Sequence, residues 1–147
     1  MLFAYVLGEL DSTVTVFSNP KEGIFIAPTQ RISMLPAGFS GRNDAAEIAI
    51  HPNGKYLYAS NRGDDSIAVF AIDPAKGTLT LVADILTGGK EPRHFAIDPG
   101  GKYLLAENQL SNNIVVFKID PETGGLTPTG QVVEVPSPVN LVFVASE

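Results

Sequence analysis

The chain has no cysteine and no tryptophan, no long apolar run and no excess of positive charge. Without cysteine there is no disulfide, no thiolate nucleophile and no Cys-based zinc site, and nothing points to an oxidising compartment, so a cytoplasmic location is expected. The formal charge of -6 comes from 16 acidic against 10 basic residues, the latter scattered singly. A nucleic-acid surface needs a basic stripe to collect phosphates, so nucleic acid is not an expected partner. A small anion still is, because a cavity needs only a few local cations. The apolar opening from Met1 to Leu7 lacks a basic flank and is broken by Gly8 and Glu9, so it reads as a strand and not as a signal peptide or membrane span. Helical periodicity is missing too, since no segment sustains a 3.6-residue apolar repeat. Hydrophobic residues nonetheless make up 44% and charged residues 18%, which is too apolar for a disordered chain.

The dominant feature is an internal repeat. Ile50-His51-Pro52-Asn53-Gly54-Lys55-Tyr56-Leu57 lies over Ile97-Asp98-Pro99-Gly100-Gly101-Lys102-Tyr103-Leu104, a shift of 47. In the same register Asn61 falls on Asn108, Ile67 to Phe70 on Ile114 to Phe117, and Asp73-Pro74 on Asp120-Pro121. A weaker copy precedes them at a shift of 53, with Tyr5 over Tyr58 and Val14 to Phe17 over Ile67 to Phe70, the surplus lying in the loop from Ser33 to Asp44.

Each copy is a series of short β-branched and aromatic runs separated by turn signals, which predicts four strands. Strand A covers Glu47–His51 and Arg93–Asp98, and strand B covers Tyr56–Ser60 and Tyr103–Glu107. Strand C covers Ser66–Ile72 and Asn113–Ile119, and strand D covers Leu79–Leu86 and Leu126–Val135. Asn53-Gly54 is a strong hairpin signal because both residues tolerate positive φ. Strand C is apolar on both parities, as happens when both faces of a sheet are covered. A period of this length with two-sided burial specifies β-propeller blades. The fold expected is therefore all-β: about three four-stranded antiparallel blades of a partial propeller, phased BCD-ABCD-ABCD-A.

One domain spans 1–147, with blade segments 1–35, 45–87 and 92–135 and a closing strand over 138–144. The first blade would supply B, C and D from Phe3–Gly8, Thr13–Ser18 and about Ile24–Ser33. Ring propellers have about four to eight blades, so the open ends need completion. Either N-terminal blades lie outside this sequence, or two chains form a homodimer with a six-bladed ring, strand A of one completing the BCD blade of the other.

Antiparallel order places the start of A and the end of B on one rim, where the residues are unusually polar. Glu9, Arg62 and His94 are the candidate catalytic groups, and Glu47, Asn61, Arg93, Asn108 and Gln109 the candidate substrate-binding groups. The functional reading is a channel-mouth site in which Arg side chains grip a carboxylate or phosphate and Glu9 or His94 acts as general acid or base. The structural reading makes Arg62 and Glu47 an inter-strand ion pair and His94 a packing residue. Asp11-Ser12 and Asp64-Asp65 lie in B-to-C turns without the bidentate partner that calcium needs, and are read as solvated turn residues. His51 is read as an ordinary turn residue on the opposite rim. No metal or cofactor is implied.

The strings Ala45-Ala46-Glu47-Ile48, Ala59-Ser60-Asn61-Arg62-Gly63, Asp65 to Phe70, Gly88 to Phe95 and Asn112 to Phe117 resemble the seven-bladed lactonase family, which includes propeller-type 6-phosphogluconolactonases and fungal carboxy-muconate cyclases. The resemblance covers nearly the whole chain but only the C-terminal half or less of a family member. It implies hydrolysis of a small anionic sugar lactone such as 6-phosphogluconolactone. The alternative is a catalytically incomplete fragment that acts as a self-assembling structural or binding module. The family's Glu at the end of a B strand and Arg of a Ser-Asn-Arg string correspond to Glu9 and Arg62. Its His and first Arg would precede Met1, and the Asn usual before the Glu is Gly8 here.

Overall fold

The computed structural model describes residues 2–19 and 27–145, which form three antiparallel sheets without a helix. The first sheet holds β1 (Leu2–Gly8), β2 (Thr13–Asn19) and β3 (Ala27–Ser33). The second holds β4 (Asp44–Ile50), β5 (Tyr56–Arg62), β6 (Ser66–Ile72) and β7 (Leu79–Leu86), and the third β8 (Pro92–Ile97), β9 (Tyr103–Asn108), β10 (Asn113–Ile119) and β11 (Leu126–Glu134). Each sheet pairs its strands in sequence order, as expected of successive blades. The chain is an all-β partial propeller. Residues 24–26, expected to open the fourth strand of the first blade, lie outside the described residues. The segment 138–144 pairs with no described strand, and Val142 and Val144 are exposed. Strand A bonds only to strand B of its own blade, and β5 and β9 already carry β4 and β8.

The middle sheet explains why its strands are apolar on both parities. Leu57, Ala59, Ala68 and Phe70 face the first sheet and pack with Val14, Val16 and Met34. Tyr58, Ile67 and Val69 face the third and pack with Phe95, Leu104, Val115 and Phe117. Burial of such side chains contributes roughly 1.5–3 kcal/mol each, so one blade stabilises the next.

Polar links fix the blades at both rims. On the hairpin rim, the Tyr5 hydroxyl donates to the Gly77 carbonyl at 2.9 Å and the Tyr58 hydroxyl to the Gly124 carbonyl at 2.8 Å. His51 also belongs to this set: it is buried, and its Nε2 lies 2.8 Å from the Gly101 carbonyl. That ring ties one A-to-B hairpin to the next, a larger role than an ordinary turn residue has.

On the opposite rim, the turns between the B and C strands carry Ser12, Asp65 and Asn112 at positive φ. Their carbonyls accept the backbone N–H of Met34, Thr87 and Val135 at 3.0, 2.9 and 3.0 Å. Their side chains reach the lead-in to the following blade. Asn43 Nδ2 donates to Ser12 Oγ, Glu91 N to Asp65 Oδ1 and Ser137 N to Asn112 Oδ1, each at 2.8 Å. Lys90 Nζ also donates to Asp65 Oδ2 at 2.8 Å. Asp65 is thus a buried latch and not a solvated turn residue.

Gly124 has φ 73° and a side chain there would run into the Tyr56 ring. Gly124→Ala is expected to cost roughly 1–3 kcal/mol through strain and overpacking, and Tyr58→Phe about 1 kcal/mol through the orphaned carbonyl. Urea denaturation checks both. Wild-type stability in Gly124→Ala would contradict this packing of the second blade on the third.

Candidate active site between the blades

Glu9, Arg62 and Gln109 occupy one repeat position, just at or beyond the end of β1, β5 and β9. Glu47 and His94 occupy another, in β4 and β8. Two bulges decide where these side chains point. Pairing of β4 with β5 slips between Ala45 and Ile48, and pairing of β8 with β9 slips between Pro92 and His94. Such extra residues re-aim a strand's side chains. Ala46 and Arg93, equivalent in the repeat, both come to line a cavity of about 350 Å³ with Leu7, Glu9, Ala45, Ile48 and Arg62.

Arg62 is the centre of this cavity. Its Nη2 donates to Glu9 Oε1 at 2.5 Å and lies 3.4 Å from the Ala45 carbonyl, while Nη1 is 3.8 Å from Glu91 Oε2. The Arg62 side chain is only 11% exposed, and its buried Nε has no partner. Arg93 is exposed and makes no ion pair among the described residues. The cavity therefore offers one guanidinium with a donor to spare and a second wholly uncommitted. That arrangement suits bidentate capture of a carboxylate or phosphate, with Glu9 displaced or retained as a proton acceptor.

The expected ion pair between Arg62 and Glu47 is not formed, because the bulge turns Glu47 toward the third sheet. There His94 stands between two carboxylates, its Nδ1 2.7 Å from Glu107 Oε1 and its Nε2 3.4 Å from Glu47 Oε2. Glu107 is fully buried with Oε2 unpartnered. Neither Glu47 nor His94 lines the Arg62 cavity. The eight expected site residues thus fall into separate places. Glu9, Arg62 and Arg93 meet, and Glu47 meets His94.

Asn61 and Asn108 are fully buried. Asn61 donates to the Met34 carbonyl at 3.1 Å and accepts from Asn43 at 2.8 Å, and Asn108 donates to the Thr87 carbonyl at 3.5 Å. Gln109 donates its backbone N–H to the Glu91 carbonyl at 2.9 Å. These three line no part of the Arg62 cavity. Glu91 and Glu107 escaped the sequence reading. Glu107 carried a signal, since the repeat aligns it with Leu7 and Ser60, neither of them charged.

Stacked antiparallel sheets of three and four strands, with polar groups gathered at the inner strand ends, define a partial β-propeller. The family described as Lactonase, 7-bladed beta-propeller matches residues 2–143, and the chain belongs to it. The structure of a periplasmic gluconolactonase from Pseudomonas aeruginosa superposes with a TM-score of 0.91 at 42% identity, covering 97% of this chain and 39% of that one. A 6-phosphogluconolactonase of Bacillus subtilis is 38% identical over 92 residues, 62% of this chain and 26% of its own length. One from Pectobacterium atrosepticum is 42% identical over 79 residues, 54% of this chain and 24% of its own. The chain thus spans about a quarter of these curated relatives' length and two fifths of the solved structure. Among the described residues no helix is long and apolar enough to cross a membrane.

A pair of carboxyl groups, Asp64 and Asp84, lies away from the cavity, each with one buried and unpartnered oxygen. Burial, then the adjacent Asp64 carboxyl, push Asp84 up to about 6 against the opposing Ser66 hydroxyl. The folded chain then binds more protons than the unfolded one between about pH 4 and 6. Stability is fullest below that window and falls as pH rises through it, by roughly 1 kcal/mol once solvent screening of this partly buried group is allowed for. Asp84→Asn should match the wild type near pH 4 and exceed it by about that amount at pH 7. Denaturation midpoints across that range check the sign, and a variant with an unchanged pH slope would refute the assignment.

Proposed function

We propose that this chain provides the anion-gripping part of a lactonase site and hydrolyses a sugar-acid lactone of the 6-phosphogluconolactone class. The observation that carries the reading is the convergence of Glu9, Arg62 and Arg93, one from each blade, on one cavity. Arg62 and Arg93 hold the phosphate or carboxylate and polarise the lactone carbonyl. Water attacks the carbonyl carbon, the ring C–O bond breaks, and the ring oxygen leaves with a proton as the hydroxyl of the open-chain acid. Glu9 or His94 is the group that moves these protons. No metal or cofactor is assigned to this chemistry. The relatives' names, lactonases acting on phosphorylated and unphosphorylated gluconolactones, support the substrate class. The lack of cysteine supports a cytoplasmic setting.

A second reading, assembly through complementary edges, is favoured by one observation. The lead-in to 138–144 is already latched, with Pro138 buried behind the Ser137–Asn112 hydrogen bond, and the outer edge of β1 carries no strand among the described residues. Two copies exchanging these edges would close a six-bladed ring, and further blades of one polypeptide would satisfy the same edges.

Arg62→Ala should lower kcat/KM for lactone hydrolysis about 100-fold, read by acid release above the spontaneous rate. Glu9→Gln should lower kcat while leaving anion affinity intact, since it frees the Arg62 guanidinium. Equal rates for wild type and Arg62→Ala would refute the site. Solution mass separates the assembly readings: a dimer supports edge exchange between copies, and a strict monomer contradicts it.

A further inference from the structure

The fully buried Glu107 has no counterpart in the other blades, where the repeat places Leu7 and Ser60. A buried carboxylate is expensive, and one oxygen of this one finds no partner. Its other oxygen, Oε1, sits 2.7 Å from His94 Nδ1. We propose that Glu107 is a positioning residue that holds His94 as the Nδ1–H tautomer, leaving Nε2, on the side of Glu47, as the ring's proton acceptor.

Hydrogen-bond inventory fixes the tautomer. An ionised carboxylate only accepts, so the ring nitrogen facing Glu107 must carry the proton, and the neutral ring is left with Nε2 as an acceptor. Nε2 then faces Glu47 Oε2 across 3.4 Å. Two acceptors at that separation do not bond to each other, but a water placed at about 2.8 Å from both satisfies both. Glu47 Oε1 accepts the Ile48 N–H at 2.9 Å, which leaves Oε2 to turn toward the ring. When such a water attacks a lactone carbonyl, its proton passes to Nε2 and its oxygen bonds to the carbonyl carbon. The imidazolium formed lies between two carboxylates, which offset its charge. It then returns the proton to the departing ring oxygen as the ester C–O bond breaks, so lactone and water become hydroxy acid with nothing left over. Glu9, by contrast, is already engaged by Arg62. The catalytic use of Nε2 rests on the lactone-hydrolysis reading above; the tautomer does not.

The chain's two histidines control for each other. His51 Nδ1 accepts the Asn53 N–H at 3.1 Å and its Nε2 faces the Gly101 carbonyl at 2.8 Å, so His51 is held as the opposite tautomer, Nε2–H. Long-range 1H–15N correlation spectra of the 15N-labelled chain at about pH 8, where an ordinary imidazole is neutral, should show one ring of each kind. Glu107→Ala removes the Nδ1 acceptor, and the His94 ring should switch to Nε2–H and donate to Glu47, moving the unprotonated-nitrogen resonance from Nε2 to Nδ1. Glu107→Gln, whose amide oxygen still accepts, should keep Nδ1–H. Two Nε2–H rings in the wild type, or an unchanged His94 ring in Glu107→Ala, would overturn the proposal. If Glu107→Ala does not fold, the wild-type spectrum decides alone. An Arg62→Ala chain that hydrolyses lactone as fast as wild type would sink the lactonase reading and leave this tautomer standing.

Discussion

The structure depends on three carbonyls held in the left-handed region of backbone space. Ser12, Asp65 and Asn112 have φ of 51°, 57° and 54°, a conformation that costs an L-residue of order 1 kcal/mol and that short polar side chains tolerate best. The reward is double. Each carbonyl ties down the end of its own blade's last strand, and each side chain bonds the segment just before the next blade begins. Because that bond fixes where β4 and β8 start, it also fixes which residues stand on the inner strands. The site is thus set by three turn residues that are not themselves among its side chains.

Two consequences follow for the chemistry. The bulges at the start of β4 and β8 lie directly after these latches, and the alternation of side chains along a strand sets Glu47 apart from Ala46 and His94 apart from Arg93. Neighbours in sequence consequently serve different places: Arg93 joins Arg62 at the cavity, and His94 joins Glu47 and Glu107 between the second and third sheets. An exposed arginine and a nearly buried histidine one residue apart are what that alternation produces. The arrangement also keeps the cationic groups away from the Glu107 carboxylate, whose attraction would otherwise compete with a bound anion.

The fold was legible because the repeat states it several times. Asn53-Gly54, the Asp73-Pro74 turn and the two-sided apolar pattern of Ile67 to Phe70 each depend on local chemistry alone. The site was legible only in outline. Antiparallel order sufficed to bring Glu9, Arg62 and Arg93 to one rim. Register slips of a single residue decided that Glu47 faces His94 and not Arg62, and no local pattern announces a bulge. Asn61 and Asn108 looked like site residues because they are polar at a strand end. They are instead buried, their amide nitrogens donating to the Met34 and Thr87 carbonyls, a demand visible only once the backbone is closed. Asp65 was underestimated for the same reason, since its partners Lys90 and Glu91 lie in the next repeat.

The central claim is that the cavity at Arg62 receives the anionic end of a sugar acid. Its most direct test is a 1H–15N titration of the chain with 6-phosphogluconate, reading backbone amides together with the Arg62 Nε–H, which has no partner in the unbound chain. Saturable shifts are expected, concentrated on Glu9, Ala45, Arg62 and Arg93, with the Arg62 Nε–H among the largest. Shifts centred elsewhere, or none at millimolar ligand, would contradict it.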